Sequence, residues 1–230
     1  MLEIACFVDI GLRTKNDDRV AVNSKLISKG SYSETAENSC LTIVCDGVGG
    51  EAFGNEAAEM VTDVFSRISG SKINVDIIND YIAKANEAVI NAQKKDESHS
   101  RMTTTIAGLY INENDFISFN VGDSRVYRYR SPYIMQLSTD HSLPEKTNVI
   151  TRYIGGDYAE ADIVEGKSRV FDKDIYVLCS DGVWGSLKNE DFENELLQKS
   201  GLEEKCQSLV KLALEKGSRD NLSIIIIRRS

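Results

Sequence analysis

Hydrophobic residues recur along the chain with two different periods, and the longer period marks helices. Three stretches place apolar residues at i, i+3 or i+4, and i+7, which is the spacing of a helix that buries one face. These stretches cover residues 57–68, 78–92 and 202–213, and the last is followed by Gly217, a residue type that commonly ends helices. The pattern therefore predicts three amphipathic helices.

Short runs rich in β-branched and aromatic residues lie around these helices and are typical of strands. The runs cover residues 2–8, 19–23, 41–45, 105–111, 116–121, 125–130, 133–137, 168–171, 175–179 and 222–228. Neighbouring runs such as 105–111 and 116–121 are joined by polar turns too short for a crossover helix, which favours antiparallel pairing. We therefore predict an α+β fold with a sheet core covered by helices.

Composition and charge limit the function classes open to this chain. Of 230 residues, 41% are hydrophobic and no repeat or linker-like tract occurs, so we predict that residues 1–230 form a single domain. There are 27 Lys and Arg residues against 36 Asp and Glu residues, a formal charge of −9. Because duplex nucleic acid and anionic membranes both require clustered basic residues, we expect neither as a partner.

The cysteines and the N-terminal residues predict a reducing compartment. The five cysteines form an odd set with no Cys-x-x-Cys pair, so neither a disulfide framework nor a zinc site is indicated. Glu3 and Asp9 interrupt the first apolar stretch, which is unlike a signal peptide. No run approaches the roughly 20 apolar residues of a membrane span. We therefore expect a cytoplasmic protein.

Aspartates stand at the ends of several predicted strands, and this placement is the main functional clue. They are Asp17, Asp18, Asp46, Asp123, Asp181 and Asp220. A buried carboxylate is costly unless it is paired or binds a cation, and several together repel one another. Mg²⁺ and Mn²⁺ prefer oxygen ligands and would relieve that repulsion. Each Asp could instead be a turn former, which is the better interpretation for any one alone but not for the set.

The glycine-rich stretch at residues 46–50 could also indicate nucleotide binding, since it follows a strand and precedes a helix. With Gly47 and Gly49 as the first two glycines, a G-x-G-x-x-G motif would need glycine where Ala52 stands. No Gly-Lys-Ser/Thr sequence follows, and the hairpin pattern lacks the crossovers that such motifs require. Nucleotide binding is therefore a minor alternative.

Eight short motifs follow one another from Gly11 to Asn221. They are G-L-R-T-K-N-D-D-R at 11–19, D-G-V-G-G at 46–50, M-T-T-T at 102–105, N-V-G-D-S-R at 120–125, D-H-S-L at 140–143, T-R with Gly155 at 151–155, S-D-G at 180–182 and D-N at 220–221. In this order they resemble the type 2C (PPM family) metal-dependent serine/threonine protein phosphatases, in their compact bacterial form. Each motif is weak alone, whereas the ordered set is specific.

This resemblance implies a four-layer αββα sandwich of two antiparallel sheets flanked by helices. It also implies two Mn²⁺ or Mg²⁺ ions at one end of the sandwich and a weaker third ion. By position, Asp46 would bridge the two ions, Asp181 and Asp220 would complete one coordination sphere, and the Gly47 carbonyl would serve the other. These three aspartates are the expected catalytic residues.

The remaining site residues are also carried over by position from the resemblance. Asp17 and Asp18 would act through ion-bound waters, and Asp123 with Asp181 matches a third ion position. Arg13 matches the arginine that holds the substrate phosphate, a role suited to a guanidinium fork. The implied reaction is hydrolysis of phosphoserine and phosphothreonine by a hydroxide that bridges the two ions. The expected partners are phosphorylated products of a Ser/Thr kinase, and the expected state is a monomer.

The sequence departs from the family pattern in one segment beside the site, and two other functions are open to a chain with this fold. Only nine residues separate His141 from Thr151, so the flap segment beside the site is expected to be nearly absent, leaving an open groove. A non-catalytic phosphatase-like binding module is disfavoured because Asp46, Asp181 and Asp220 are all present. A Ca²⁺-binding structural domain would need a contiguous loop with Asp at alternate positions, which this sequence lacks. Metal-dependent turnover that a chelator abolishes would distinguish the phosphatase hypothesis from these two alternatives.

Overall fold

The computed structural model describes residues 1–48, 53–68, 72–143 and 146–229. The strands are β1 Leu2–Asp9, β2 Arg19–Val22, β3 Lys25–Ile27, β4 Gly30–Ala36, β5 Ser39–Cys45, β6 Gly47–Val48, β7 Thr103–Thr104, β8 Ile106–Asn112, β9 Asp115–Val121, β10 Arg125–Arg130, β11 Tyr133–Gln136, β12 Ser142–Leu143, β13 Lys146–Ile150, β14 Asp162–Gly166, β15 Ile175–Cys179 and β16 Leu222–Arg229. The helices are α1 Gly54–Ser66, α2 Val75–Lys95, α3 Asp181–Trp184, α4 Asn189–Leu197 and α5 Leu202–Glu215, with a 3₁₀ turn at Glu97–His99.

Most strands of the described residues belong to two six-stranded sheets. Sheet A has the order β11-β10-β15-β16-β1-β4, and sheet B has the order β14-β9-β8-β5-β2-β3. Every neighbouring pair within both sheets is antiparallel. Two short antiparallel pairs, β6 with β7 and β12 with β13, lie outside the sheets. The predicted antiparallel architecture is confirmed.

The two sheets pack face to face through alternating side chains of their central strands. Ile4 and Cys6 of β1 and Ile225 of β16 point inward from sheet A, and Val44 and Leu109 meet them from sheet B. Successive side chains of a strand point to opposite faces, so the other face of each central strand must also be covered. This is why β15 and β16 read as nearly continuous apolar runs.

Helices cover the outer face of each sheet and complete four layers. On sheet B, α1 and α2 bury their apolar stripes, and the ring of Phe65 stacks on Phe119 with centroids 5.5 Å apart. On sheet A, α4 and α5 do the same, and Phe192 packs against Tyr127 at 5.5 Å. Full burial of such a side chain contributes about 1.5–3 kcal/mol. The order of layers is αββα, as the resemblance implies.

The three predicted helices and nine of the ten predicted strand runs are confirmed in the described residues. The predicted strand at 168–171 is wrong. The backbone N–H groups of both Arg169 and Val170 donate to the carbonyl of Asn114, at 2.9 and 3.0 Å, and Ser168 has a left-handed φ of 51°. Two successive amides directed to one carbonyl cannot belong to a strand ladder, where they point in opposite directions.

Two further features bear on the earlier expectations. Between His141 and Thr151 the chain forms the short pair β12 and β13, whose last residue, Ile150, lines the cleft described below. Gly49 and Gly50 of the glycine-rich stretch, and Ala52 after it, lie outside the described residues. No helix in the described ranges is both long and apolar enough to cross a membrane.

Candidate active site

A polar cleft of about 410 Å³ opens where strands from both sheets end. Asp46 directly follows β5 of sheet B, and Asp123 lies on the connection from β9 of sheet B to β10 of sheet A. Asp181 follows β15 by two residues, and Asp220 precedes β16 by two. The cleft is lined by Arg13, Asp17, Asp46, Gly47, Val48, Asp123, Ile150, Asp181, Asp220 and Asn221.

The backbone of Asp46 is fixed by Thr104, the last residue of β7, and by Thr105, which follows it. Its N–H donates to Thr105 Oγ1 at 3.1 Å, and its carbonyl accepts from the Thr105 N–H and from Thr104 Oγ1, each at 2.8 Å. The Thr105 hydroxyl in turn shares a 2.8 Å hydrogen bond with Ser124, the neighbour of Asp123. The bonds to these threonines involve only the main chain of Asp46, which itself lines the cleft.

Gly182 allows the Asp181 and Asp220 segments to approach each other closely. A Cβ atom at Gly182 would stand 1.9 Å from the carbonyl oxygen of Asn221, well inside van der Waals contact. Gly47 has a similar role on the other side of the cleft, where a Cβ atom would stand 2.4 Å from the carbonyl carbon of Gly54, the first residue of α1. The glycines beside Asp46 and Asp181 are therefore needed for backbone contact.

Asn221 fastens the loop that carries Arg13 and Asp17. Its side-chain oxygen accepts from the Asp17 N–H at 2.9 Å, and its amide group donates to the carbonyls of Ile10 and Lys15, both at 2.9 Å. The Asp17 carboxylate then accepts from the Asn55 N–H at the start of α1, at 3.1 Å. One nearly buried side chain thus sets the position of the loop over the cleft.

Replacing Asn221 by alanine is expected to release this loop. Loss of three hydrogen bonds at a nearly buried position should cost about 1–3 kcal/mol of unfolding free energy. Because the resemblance implies that Arg13 on this loop holds a substrate phosphate, the KM for a phosphorylated substrate should rise more than kcat falls. Thermal unfolding and steady-state kinetics test this, and an unchanged KM in a folded variant would contradict it.

The carboxyl groups of the cleft repel one another in a poorly hydrated environment. Burial, and next the negative charges of Asp18 and Asp181, hold the pKa of Asp46 well above its usual range. Burial raises the pKa of Asp18 to about 7, and burial with the charge of Asp181 raises the pKa of Asp123 to about 7. The pKa of Asp181 is raised by burial and by the charge of Asp220. Such a cluster favours a bound cation.

Two buried carboxylate oxygens have no hydrogen-bond partner in the described residues. They are Oδ1 of Asp18 and Oδ1 of Asp123, on side chains only 1% and 2% exposed. The second oxygen of Asp18 accepts from Ser180 Oγ at 2.8 Å, so the side chain is fixed with its other oxygen unsatisfied. Unsatisfied oxygens and an all-oxygen donor set suit Mg²⁺ or Mn²⁺.

Arg13 contacts one of the acids of the cleft directly. Its Nη2 donates to Asp220 Oδ2 at 2.7 Å, and this contact raises the arginine pKa. Among the described residues, no group of three His, Cys, Asp or Glu side chains is arranged to hold a metal ion. The acids therefore share one cleft without forming a closed ligand shell, and Asp220 is engaged by Arg13.

Asp123 is held by an aromatic neighbour that the sequence did not single out. Trp184 Nε1 donates to the Asp123 carbonyl at 3.0 Å, and the Arg125 guanidinium lies 3.4 Å from the centre of the tryptophan ring. Arg125 also forms a bidentate pair with Asp140, at 2.6 and 3.0 Å. The stack of Arg125 on Trp184 thus supports the chain where it passes between the sheets.

Most residues predicted for the site line the same cleft. Those that do are Arg13, Asp17, Asp46, Gly47, Asp123, Asp181 and Asp220. Asp18 is buried and does not line the cleft, although its charge raises the pKa of Asp46. The individual roles of all eight residues stay predictions. Sequence reasoning missed the positioning roles of Asn221, Thr104, Thr105 and Trp184. The D-N and M-T-T-T motifs contain three of these residues, and their place inside those motifs was the available signal.

The fold and the acidic cleft agree with comparisons to known proteins. A family model described as Protein phosphatase 2C matches residues 15–222. The protein phosphatase PhpP of Streptococcus pneumoniae is 28% identical over 98% of this chain and 97% of its own length. The solved serine/threonine phosphatase of S. agalactiae is 28% identical, with a TM-score of 0.84 and full coverage of both chains. Stp1 from Staphylococcus aureus is 25% identical, with a TM-score of 0.86 over 100% of this chain and 96% of its own.

A four-layer sandwich with carboxylates gathered at the strand ends of both sheets defines a phosphatase of this class. The chain belongs to the protein phosphatase 2C family, since the family model matches most of its length. It is therefore an enzyme, a protein phosphatase of the 2C type.

Proposed function

We propose that this phosphatase hydrolyses phosphoserine and phosphothreonine in proteins with the help of two Mn²⁺ or Mg²⁺ ions in the acidic cleft. The observation that carries the proposal is the convergence of Asp46, Asp123, Asp181 and Asp220 with Arg13 in one cleft. The relatives from S. agalactiae and S. aureus, both named serine/threonine phosphatases, support the choice of substrate residue.

The family resemblance assigns the residues that would hold the ions, and their oxygen donor atoms suit such ions. Asp46, Asp181, Asp220 and the Gly47 carbonyl would hold the pair, and Asp123 with Asp181 would hold a weaker third. The unsatisfied Oδ1 of Asp18, together with Asp17, would accept hydrogen bonds from the ions' waters. When bound, two such ions make hydroxide available near neutral pH and neutralise charge on the phosphoryl group.

The chain's own residues bind and orient the substrate in this proposal. The Arg13 guanidinium, 53% exposed at the mouth of the cleft, can donate in parallel to two phosphate oxygens. No thiolate competes for the phosphorus atom, because all five cysteines are buried and burial raises the pKa of each thiol. Val48 lines the cleft and can transfer no proton, and in this proposal water protonates the leaving group.

We also propose that residues 1–230 act as one domain and as a cytoplasmic monomer on proteins phosphorylated by a Ser/Thr kinase. The pairing of β1 with β16 supports the single domain, because strands from opposite ends of the chain lie side by side in sheet A. Size-exclusion chromatography with light scattering tests the monomer, and a dimer mass would contradict it.

The function is tested by assaying the purified protein with Mn²⁺, with Mg²⁺ and with a chelator. We expect release of phosphate from phosphoserine and phosphothreonine peptides and from p-nitrophenyl phosphate with either ion, and none with the chelator. The matched control is Asp181→Asn, which keeps the side-chain shape and removes its charge. A protein that stays inactive with both ions, or a fully active variant, would overturn the proposal.

Replacing Arg13 by alanine should affect phosphate and metal in opposite directions. Loss of charge-assisted hydrogen bonds worth about 1.5–3 kcal/mol should lower kcat/KM by about 10–100-fold. Affinity for Mn²⁺ should instead rise, up to about fivefold, because Asp220 loses an exposed ion pair worth up to about 1 kcal/mol. Kinetics and calorimetric titration measure the two effects. Arg13→Lys is the charge-preserving control. Weaker Mn²⁺ binding by Arg13→Ala would contradict the idea that Arg13 and Mn²⁺ compete for the Asp220 carboxylate.

A further inference from the structure

The active-site cleft continues past Asp220 into a second groove. This groove has a volume of about 260 Å³ and shares Arg13, Asp181 and Asp220 with the cleft. Its far side is formed by Ser186 and by the loop between α5 and β16. A peptide whose phosphorylated residue lies at Arg13 would therefore have flanking residues within reach of this loop.

The loop presents Arg219 from a fixed backbone. On one side of Arg219, Ser218 is nearly buried. Its Oγ donates to the Gly182 carbonyl at 2.6 Å, and its N–H donates to the Ala213 carbonyl at 3.0 Å. On the other side, Asn221 makes the three hydrogen bonds to the 10–17 loop. Arg219 and Asp220, the two residues between these anchors, therefore have little backbone freedom, although the side chain of Arg219 is exposed.

The guanidinium of Arg219 has no hydrogen bond or ion pair within the described ranges. Two acids, Asp181 and Asp220, line the same groove, yet in the part of the chain that the structure describes neither forms an ion pair with Arg219. Asp220 is paired with Arg13 instead. An unpaired guanidinium on a fixed backbone, open to solvent beside the cleft, is suited to recognise a carboxylate or a phosphate.

We propose that Arg219 forms a subsite for a second anionic group on the substrate, close in sequence to the phosphorylated residue. The group can be a carboxylate or a second phosphate, since both offer paired oxygens to a guanidinium. The subsite rests on the proposed function, because it acts on peptides that the cleft dephosphorylates. It makes Arg219 a specificity residue rather than a catalytic one.

The test compares peptides that contain one phosphothreonine and differ at a single flanking position. One series moves a glutamate through the flanking positions, with glutamine at the same place as the reference. A second series carries a non-hydrolysable phosphonate analogue of phosphoserine, so that carboxylate and phosphate are distinguished. At the favoured position the ratio of kcat/KM values should be about 3 for glutamate and about 10 for the phosphonate, and both should fall with added salt.

Substitutions at Arg219 show whether this side chain is the cause. Arg219→Gln should bring both ratios to about 1, and Arg219→Lys should retain part of them. The control Lys199→Gln makes the same change in net charge at an exposed residue outside both grooves and should keep the wild-type ratios. Both kcat/KM values of a ratio are measured with the same variant, so a general loss of activity lowers both values and leaves the ratio unchanged.

Failure of the subsite and failure of the proposed function give different results. Wild-type protein that hydrolyses p-nitrophenyl phosphate and phosphothreonine peptides, yet shows ratios of 1 at every flanking position, overturns the subsite alone. The same holds if Arg219→Gln keeps the wild-type ratios. Absence of any turnover with Mn²⁺ or Mg²⁺ overturns both proposals together.

Discussion

Asp46→Asn is expected to lower kcat on a phosphopeptide by at least about 10³-fold, the equivalent of about 4 kcal/mol of transition-state stabilisation. The amide keeps the size of the carboxylate but loses the charge that would hold two cations. The fold should persist, because the bonds that fix this residue come from its backbone to Thr104 and Thr105. Phosphate release under saturating Mn²⁺ measures the loss.

The same substitution should stabilise the metal-free protein. The carboxyl group of Asp46 is repelled by Asp18 and Asp181, so removing its charge should add on the order of 1 kcal/mol to the free energy of unfolding. Thermal unfolding in the presence of chelator measures this gain. Asp172→Asn removes an exposed charge outside the cleft and should change neither activity nor stability. A folded Asp46→Asn variant with activity within tenfold of wild type would refute the assignment.

Gly182→Ala should cost at least about 3 kcal/mol of unfolding free energy. The new methyl group would lie 1.9 Å from a backbone oxygen of Asn221, so the main chain itself has to move. That movement would displace Asp220 and weaken the hold of Asn221 on the 10–17 loop. Activity should therefore fall together with stability, as followed by denaturant titration and phosphate release.

Gly201→Ala is the matched control for this prediction. Gly201 precedes α5, and a Cβ atom there would have no neighbour within 4 Å. The change should therefore stay within about 1 kcal/mol, the usual range for an N-cap substitution. Equal denaturation midpoints for the two variants would show that close backbone contact at Gly182 does not limit the fold.

Burial on both faces explains which strands were predictable from the sequence. The range 175–179 matches β15 residue for residue, because all five of its residues are buried and form one apolar and aromatic run. Edge strand β4 was missed because its exposed and half-buried positions hold mostly small and polar residues. Helix α4 was missed because it buries only Phe192 and Leu196.

The acids of the site were predictable because each stands next to an apolar run. A carboxylate buried there is costly unless it is paired or binds a cation. Their supports were not predictable from local pattern. Asn221 reaches Asp17 across 204 positions of sequence, and Trp184 reaches Asp123 across 61. Contacts of that range are created by the packing of the two sheets, and hydrophobic periodicity does not encode which polar side chains that packing brings together.

The division of the acidic residues between the two sheets has a mechanical consequence. Asp46 belongs to the end of sheet B, whereas Asp181 and Asp220 belong to the end of sheet A. An ion held jointly by them would link the two sheets across the cleft, in addition to the chain connection that runs through Asp123. Bonds to the ion, as well as side-chain packing, would then resist sliding of one sheet over the other. Ion binding would therefore make the cleft end of the two sheets more rigid at the same time as it activates the enzyme.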